Sequence, residues 1–324
     1  YHLMDLFGKA PFVTENDAIG TTGPEYNRQQ LFTFIETELN EILPELKAAR
    51  TNEYGRLDKT FANMILAKMY LNAEYYTGTA RWNDCIAACD AVINSGKFAI
   101  ESRASYLKMF YPDNGPQMKE FIFAVPFDPS ATAYPGTNGM MYRTRYDVPR
   151  SEKAKFSLAF TPSAPMSTLP EFYAYFNDLG DIRNDQWLTG LQFMNDGVTP
   201  VMVTTTKKGY DQFYSGADGG AAYTYQVDLT PNIVYRQNPD LFDCGNDEIA
   251  WNMGYRNIKF YPDKTSTSRN QNNDVPYLRY SDVVLMKAEA ILRGGTATGG
   301  QTALSLVNTP SPSSMRMNHW AAAR

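Results

Sequence analysis

The chain has 324 residues, of which 43% are hydrophobic and 20% are charged, so it is long and apolar enough to bury a sizeable core. Its formal net charge is -5 and its strongest basic cluster is the pair Lys207–Lys208, which argues against nucleic acid as a partner. The two histidines, His2 and His319, and three cysteines without CxxC spacing are too few for a histidine-based triad, a zinc site or a disulfide framework.

The two ends of the sequence interrupt regular patterns. Residues 1–8 predict the last turns of a helix that ends at Gly8, so we expect a further segment before Tyr1. Near the other end, prolines interrupt a helical pattern and the residues that follow have no clear period. We therefore expect residues 309–324 to be a tail foreign to the fold, produced by truncation or by a shifted reading frame.

Apolar residues at helical spacing predict three helices in the first third of the chain. These helices are predicted over residues 29–49, 60–76 and 82–93. Leu66, Ala67 and Tyr70 fit the core positions of a tetratricopeptide repeat. Residues 281–293 repeat the pattern, and Ala288 lies 221 residues after Ala67. Small residues at these positions let paired helices approach closely.

These repeats define the predicted fold class. We predict a mainly α fold with tetratricopeptide-like helical repeat pairs at about residues 29–96 and 281–308. An irregular region with short β-strands, about residues 98–275, is inserted between the pairs. Residues 1–308 are expected to form a single domain.

The inserted region has the composition of strands and loops. Residues 121–127 predict a short buried strand, residues 170–176 a short aromatic helix, and residues 190–203 a strand pair that turns at 195–197. Binding residues are often found on such turn-rich segments when a rigid scaffold holds them. The 22 tyrosines are suited to a surface that binds a polar ligand, although most of them are explained as half-buried packing residues.

Two groups of possible metal ligands have simpler explanations. Cys85 and Cys89 lie one helical turn apart and lack further cysteine or histidine ligands, so we predict that they are packing residues. An acidic group lacks the spacing and the central glycine of an EF-hand, so it leaves calcium only as an unfavoured alternative. This group comprises Asp240, Asp243, Asp247 and Glu248. We expect no metal and no cofactor.

Six stretches of sequence, taken in order, resemble the SusD/RagB family. They read LMDLFGKAPFVTE, YGRLDKTFANMILAKMYLNAEYYTG, WNDCIAACDAVINSGKF, EFIFAVPF, PEFYAYFNDLGDIR and NDVPYLRYSDVVLMKAEAILRGG. Each motif is weak alone, but the six in sequence span nearly the whole chain up to about residue 308. The signal peptide with its lipidated cysteine, the first helices and the charged C-terminal helix of the family have no counterpart in this sequence.

The resemblance implies a SusD-like fold and a role in nutrient capture. Family members are outer-membrane lipoproteins that bind glycans, and in some branches peptides, at the cell surface of Gram-negative bacteria. They pass the ligand to a TonB-dependent transporter of the SusC type. We therefore expect a glycan ligand, with peptide less favoured, a SusC-like partner, and membrane association through a lipid anchor outside this sequence.

The resemblance also nominates ligand-binding residues. Aromatic rings can cover the apolar face of a sugar while polar side chains bind its hydroxyl groups. Tyr134 matches a family binding position in the loop after the EFIFAVPF strand, and Tyr142 matches less closely. Many relatives have Trp-Asn-Gly further on, where this sequence has Phe160 as its nearest ring. Trp187 completes the candidate set.

Two further polar segments are given structural roles. Asp181 and Arg183 resemble a family motif, and an Arg–carboxylate pair at this spacing is expected to fix a turn. The run at residues 269–274 could present amides to sugar hydroxyls, but we expect an ordinary solvated loop.

Other function classes stay open as alternatives. The sequence has no GxSxG, HExxH, Walker A or GxGxxG motif, and we predict no catalytic residues and no enzymatic activity. A glycoside hydrolase needs only a pair of carboxylates at a set separation, and 35 acidic residues are present. A helical-repeat module that binds only protein is the other alternative.

Overall fold

A computed structural model describes residues 1–127, 148–162, 166–177, 180–206, 222–233, 247–267 and 270–308. The chain divides into two compact units. Unit 1 comprises Tyr1–Ser102, Pro116–Val125 and the chain from Pro276 onward, and unit 2 comprises Arg103–Gly115 and Pro126–Val275. The assignment of residues 1–308 to a single domain stays a prediction, and the expected tail at 309–324 lies outside the described residues.

The helices and strands are short apart from four helices in unit 1. In chain order they are α1 (His2–Phe7), β1 (Lys9–Pro11), β2 (Glu25–Asn27), α2 (Arg28–Ile42), α3 (Lys59–Leu71), α4 (Ala73–Thr77), α5 (Trp82–Ile93), β3 (Phe121–Val125), α6 (Pro170–Tyr173), β4 (Trp187–Leu188), β5 (Gly190–Leu191), β6 (Met202–Thr205), β7 (Tyr223–Gln226), β8 (Asp228–Leu229), α7 (Glu248–Trp251), β9 (Arg256–Asn257), β10 (Val275–Arg279), α8 (Tyr280–Leu292) and α9 (Ala303–Val307). None of the helices in the described ranges is both long and apolar enough to cross a lipid bilayer.

Local side chains determine where the helices of unit 1 begin and end. Asn27 and Gln30 form a reciprocal capping box at the start of α2. The Asp58 carboxylate accepts hydrogen bonds from the first backbone N–H groups of α3. The predicted helix over residues 60–76 is interrupted at Asn72, which leaves the helical conformation and separates α3 from α4. Gly78 then ends α4 with a left-handed φ of 78°.

Helices α3, α5 and α8 share the main apolar core of unit 1. Ala67 is buried in α3, and Cys85 and Cys89 are fully buried in α5 with free thiols, as expected for packing residues. The pKa of Cys89 is raised well above its usual range by its hydrogen bond with Cys85 and by burial. A second apolar cluster, which includes Ala288, joins α8 to α9.

A buried lysine of α8 forms an ion pair with a partly buried aspartate of α5, and no sequence pattern predicts this pair. The Lys287 ammonium of α8 lies 2.5 Å from an oxygen of Asp90 in α5 and 2.6 Å from Gln301 Oε1. Thr298 Oγ1 donates to the other oxygen of Asp90 at 2.5 Å. Because the partners lie in α5, in α8 and in the loop that follows α8, the network fixes how these three segments meet.

Unit 2 is built from short paired strands around a smaller core. β4 pairs with β9, β5 with β8, and β6 with β7, each pair antiparallel. The predicted strand pair over residues 190–203 is present only in part. A single bridge joins Phe193 and Pro200, and the chain turns at Gly197, where φ is 72°. Strand β5 pairs with β8 instead.

Buried amide side chains hold the loops of unit 2 together, and this corrects the expectation that residues 269–274 form a solvated loop. Asn273 Nδ2 donates to the carbonyl groups of Phe110 and Tyr261 at 2.8 and 2.9 Å. Asn114 exchanges two hydrogen bonds with the backbone of Asp274. Arg269 lies outside the described residues; residues 270–274 are buried or partly buried because their polar groups satisfy backbone groups that no strand pairs.

Candidate functional site

Five aromatic rings meet in unit 2, and we call this cluster the aromatic platform. It consists of Phe172, Tyr173, Phe176, Trp187 and Tyr255. The indole of Trp187 is at its centre, with ring centroids 5.1 Å from Phe176, 5.7 Å from Tyr173 and 6.2 Å from Phe172. All three contacts are edge-to-face, which is the favourable arrangement for rings with a negative face and a positive edge.

Three short segments bring these rings together. Helix α6 starts with Pro170 at its first position, where a missing N–H costs nothing, and carries Phe172 and Tyr173. Strand β4 begins at Trp187 and pairs with β9. Tyr255, just before β9, packs on Tyr173 with 4.4 Å between ring centroids.

A glycine is required in the turn that carries Tyr255. Gly254 has φ +82, and a Cβ there would lie 2.5 Å from the Cβ of Ser167. Arg256 closes the same turn by donating to the carbonyl oxygens of Gly254 and Trp251.

The rings of the platform differ in what they offer to solvent. Trp187 is only 9% exposed, whereas Phe172 is 53% exposed. The neighbouring Tyr175, one residue before Phe176, is also exposed. The buried indole therefore holds the rings packed against it in position, and the ring of Phe172 is the one that a ligand can contact.

Two buried polar atoms at the platform have no hydrogen-bond partner within the described ranges. They are Nε1 of Trp187, a donor, and Oε1 of Gln186, an acceptor. A buried polar group without a partner costs about 1–3 kcal/mol. A water molecule can both donate and accept, so an enclosed water has the chemistry to satisfy either atom.

Two charged residues in the segment before Trp187 form an ion pair. Arg183 donates through its guanidinium and its backbone N–H to the carboxylate of Asp181. Burial acts to raise the pKa of Asp181, but these hydrogen bonds outweigh it and the pKa lies below its usual value. Asp181 thereby begins the short helical turn Ile182–Gln186 that leads into Trp187. The geometry agrees with the turn-fixing role predicted for this pair.

The pKa of the Tyr255 phenol is raised, first by burial and then by the nearby Tyr173 and Asp228. The phenol is therefore neutral at physiological pH and available as a hydrogen-bond donor.

The four predicted ligand-binding residues have different locations. Tyr134 and Tyr142 lie outside the described residues. Phe160 is 8% exposed and belongs to the apolar core of unit 2, so it has little ring face to offer a ligand. Trp187 lies in the platform. Sequence reasoning did not nominate Phe172 or Tyr255, although the aromatic pattern around residues 170–176 was visible.

The acidic group at residues 240–248 shows no metal-binding arrangement where it is described. Asp247 is fully buried and caps α7 by accepting from two backbone N–H groups. Asp240 and Asp243 lie outside the described residues. Across the ranges given above, no three His, Cys, Asp or Glu side chains are grouped so that they could hold a metal ion.

A cleft of about 270 Å³ lies in unit 1, between the loop at residues 50–58 and strand β3. Arg50 and Asp58 in its lining are engaged in structural bonds: the backbone N–H of Arg50 donates to Asp58, and the Arg50 guanidinium donates to the carbonyl of Met118. Asn52 donates to the carbonyl of Leu57. We therefore place the candidate site at the aromatic platform.

Comparison with known proteins identifies similar sequences. The profile of the SusD family matches residues 62–309, which is most of the chain. The starch-binding protein SusD of Bacteroides thetaiotaomicron is 26% identical over 317 residues, covering 92% of this chain and 54% of that protein. The chain thus spans about half the length of this curated relative.

Solved structures show the same fold at low sequence identity. A surface glycan-binding protein A from Bacteroides thetaiotaomicron, in complex with laminarihexaose, is 18% identical with a TM-score of 0.56, and the match covers 87% of this chain and 54% of that one. A laminarin-binding SusD-like protein is 18% identical with a TM-score of 0.59, covering 97% and 62%. A SusD superfamily protein from Parabacteroides distasonis has a TM-score of 0.62 at 18% identity, covering 95% and 55%.

Proposed function

Because the chain belongs to the SusD family, we propose that it binds glycans without catalysis and that the aromatic platform contributes to the binding surface. The exposed ring of Phe172, held by a buried indole, supports this proposal most directly. Such a ring can cover the apolar face of a sugar. Relatives named for binding starch, laminarin and laminarihexaose support the same ligand class.

The proposal extends to the setting of the whole protein. We propose that Tyr134 and Tyr142 add further ligand contacts, and that the ligand passes to a SusC-like TonB-dependent transporter at the outer-membrane surface, with a lipid anchor holding the protein there. The pairs α3–α5 and α8–α9 would serve as tetratricopeptide-like units of one scaffold domain. These assignments rest on membership of the family.

A glycan panel tests the proposal. The purified protein is run through native gels that contain starch, laminarin, xyloglucan or no polysaccharide, and the soluble products are assayed for new reducing ends. We expect retardation by at least one glycan and no new reducing ends. Retardation by none would contradict glycan binding, and accumulation of reducing ends would favour the glycoside hydrolase alternative.

A matched pair of variants tests the platform itself. Phe172→Ala removes the exposed ring and is expected to weaken glycan binding about five-fold, because ring contacts contribute about 1 kcal/mol each. Tyr75→Ala removes an exposed ring of unit 1 and should leave the affinity unchanged. Equal affinities for Phe172→Ala and the unaltered protein would exclude the platform as a binding surface.

A further inference from the structure

A second group of accessible aromatic side chains lies in unit 2 on β7 and α7. Tyr223 is 47% exposed, and its ring is almost parallel to that of Tyr225, at 14° with 5.7 Å between centroids. Trp251, at the end of α7, is 38% exposed. We call these three residues the ribbon strip, because β7 pairs with β6 as a two-stranded ribbon.

Hydrogen bonds join the two halves of the ribbon strip and hold it in place. Asn252, next to Trp251, donates through Nδ2 to the Tyr225 hydroxyl at 2.9 Å. Its Oδ1 accepts from Ser151 Oγ at 3.0 Å. Because Asn252 is itself buried, its hydrogen bond fixes the position of the Tyr225 hydroxyl. Rings that are held in this way lose little entropy when a ligand binds.

The ribbon strip is connected to the aromatic platform through one short turn. Trp251 and Tyr255 are four residues apart, so their Cα atoms lie within about 14 Å even if the chain between them is fully extended. Arg256 donates to the carbonyl oxygens of Trp251 and Gly254 at 2.8 and 3.0 Å and holds the turn closed. Trp251 and Tyr255, one from each set of rings, are therefore close enough for one chain-like ligand to span.

The two strands of the ribbon carry no charged side chain, which suits an uncharged ligand. Strands β6 and β7 contain only Met, Val, Thr, Tyr and Gln. The nearest acidic residues by sequence are Asp228, just after β7, and Glu248, at the start of α7, and they would repel a uronate or a sulfate group.

From this arrangement we propose that the ribbon strip is a second glycan-stacking subsite, and that the ligand is an extended neutral oligosaccharide that contacts the platform and the strip together. The proposal rests on the proposed function. A long ligand gains the second contact without a second loss of rigid-body freedom, so its affinity exceeds that of a short ligand.

Chain-length dependence tests the subsite. Calorimetric titrations of the full chain use laminarihexaose and laminaribiose, and maltohexaose and maltose, as two matched series. Tyr223→Ala is expected to raise the Kd of the bound hexasaccharide about five-fold and to leave the Kd of the disaccharide unchanged. Trp251→Ala is a second variant with the same expected pattern. Met202→Ala is the control, since Met202 is exposed on the opposite face of the same ribbon.

The outcomes separate this proposal from the one on which it rests. If the unaltered protein binds a hexasaccharide and both Tyr223→Ala and Trp251→Ala bind it equally well, the subsite is refuted and glycan binding stands. If Met202→Ala weakens binding as much as Tyr223→Ala, the effect belongs to the ribbon as a whole and the subsite is refuted. If the unaltered protein binds neither series, both proposals fail for neutral glucans.

Discussion

In unit 1, helices α3, α5 and α8 bury a continuous apolar core, with small residues such as Ala67 where helices meet. In unit 2, the strands are two to four residues long, and side-chain amides such as that of Asn273 complete the hydrogen bonding of the loops. Apolar packing is non-directional and tolerates small shifts, whereas hydrogen bonds fix atoms to within tenths of an ångström. The comparison suggests why exposed rings can be held in defined positions on unit 2 without long helices or strands.

Lys287 is an exception to the apolar packing of unit 1, because it is a buried charged residue. Its replacement is expected to change stability more than the other substitutions below. Lys287→Met leaves Asp90 without its cationic partner in the core, which is expected to lower the free energy of unfolding by about 3 kcal/mol. Lys9→Met breaks an exposed ion pair with Glu25 and should change the free energy of unfolding by less than about 0.5 kcal/mol. Urea unfolding followed by circular dichroism gives both values. Equal effects would mean that the core of unit 1 depends on apolar packing alone.

Asn273 tests the claim that amides stabilise unit 2. Asn273→Ala removes both hydrogen bonds that the buried amide donates, to the carbonyl groups of Phe110 and Tyr261, so we expect a loss of about 2 kcal/mol. Asn16→Ala, at an exposed position of unit 1, serves as the control. Hydrogen exchange should show faster exchange in unit 2 peptides with unit 1 peptides unaffected. Uniform acceleration in both units would contradict separate sources of stability.

Glu152 provides a smaller, pH-dependent test inside unit 2. Its side chain is fully buried with no hydrogen bond to either oxygen in the described ranges, and Lys155 approaches only to 3.6 Å. Burial raises the pKa of Glu152 more than Lys155 lowers it. The folded state therefore binds the proton more tightly than the unfolded state, and the associated stability is present at acid pH and is lost as pH rises through the folded-state pKa.

The glutamine of Glu152→Gln cannot ionise. The free energy of unfolding of this variant minus that of the unaltered protein should therefore be larger at pH 7.5 than at pH 4. Thermal unfolding at the two pH values measures this difference. Glu101→Gln, at a partly exposed carboxylate of unit 1, is the comparison variant. A relative stability of Glu152→Gln that falls with rising pH would show that the Lys155 pair dominates over burial.

The difference between apolar packing in unit 1 and hydrogen-bonded loops in unit 2 also explains what could be predicted from the sequence. Helical periodicity and the paired alanines, Ala67 and Ala288, indicated the helices of unit 1 because packing of small residues repeats along the chain. The break at Asn72 and the pairing of Lys287 with Asp90 were missed, since each depends on a single side chain and on partners distant in sequence.

The candidate site was predictable only in outline. Trp187 was nominated, but its burial beneath Phe172 depends on how α6 meets β4, which no local pattern encodes. The polar run at residues 269–274 looked solvated because polar composition alone does not reveal partners such as Phe110, more than 150 residues away. Buried amides and solvated amides have the same sequence signature.

Hydrogen–deuterium exchange with and without a bound glycan tests the central claim most directly. The peptides covering α6 and β4 carry the platform, and the peptides covering α3 and α5 provide the internal reference from unit 1. We predict that a saturating glycan slows exchange in α6 and β4 and leaves α3 and α5 unchanged. Protection confined to unit 1, with none at α6 or β4, would contradict the assignment of the platform as a binding surface.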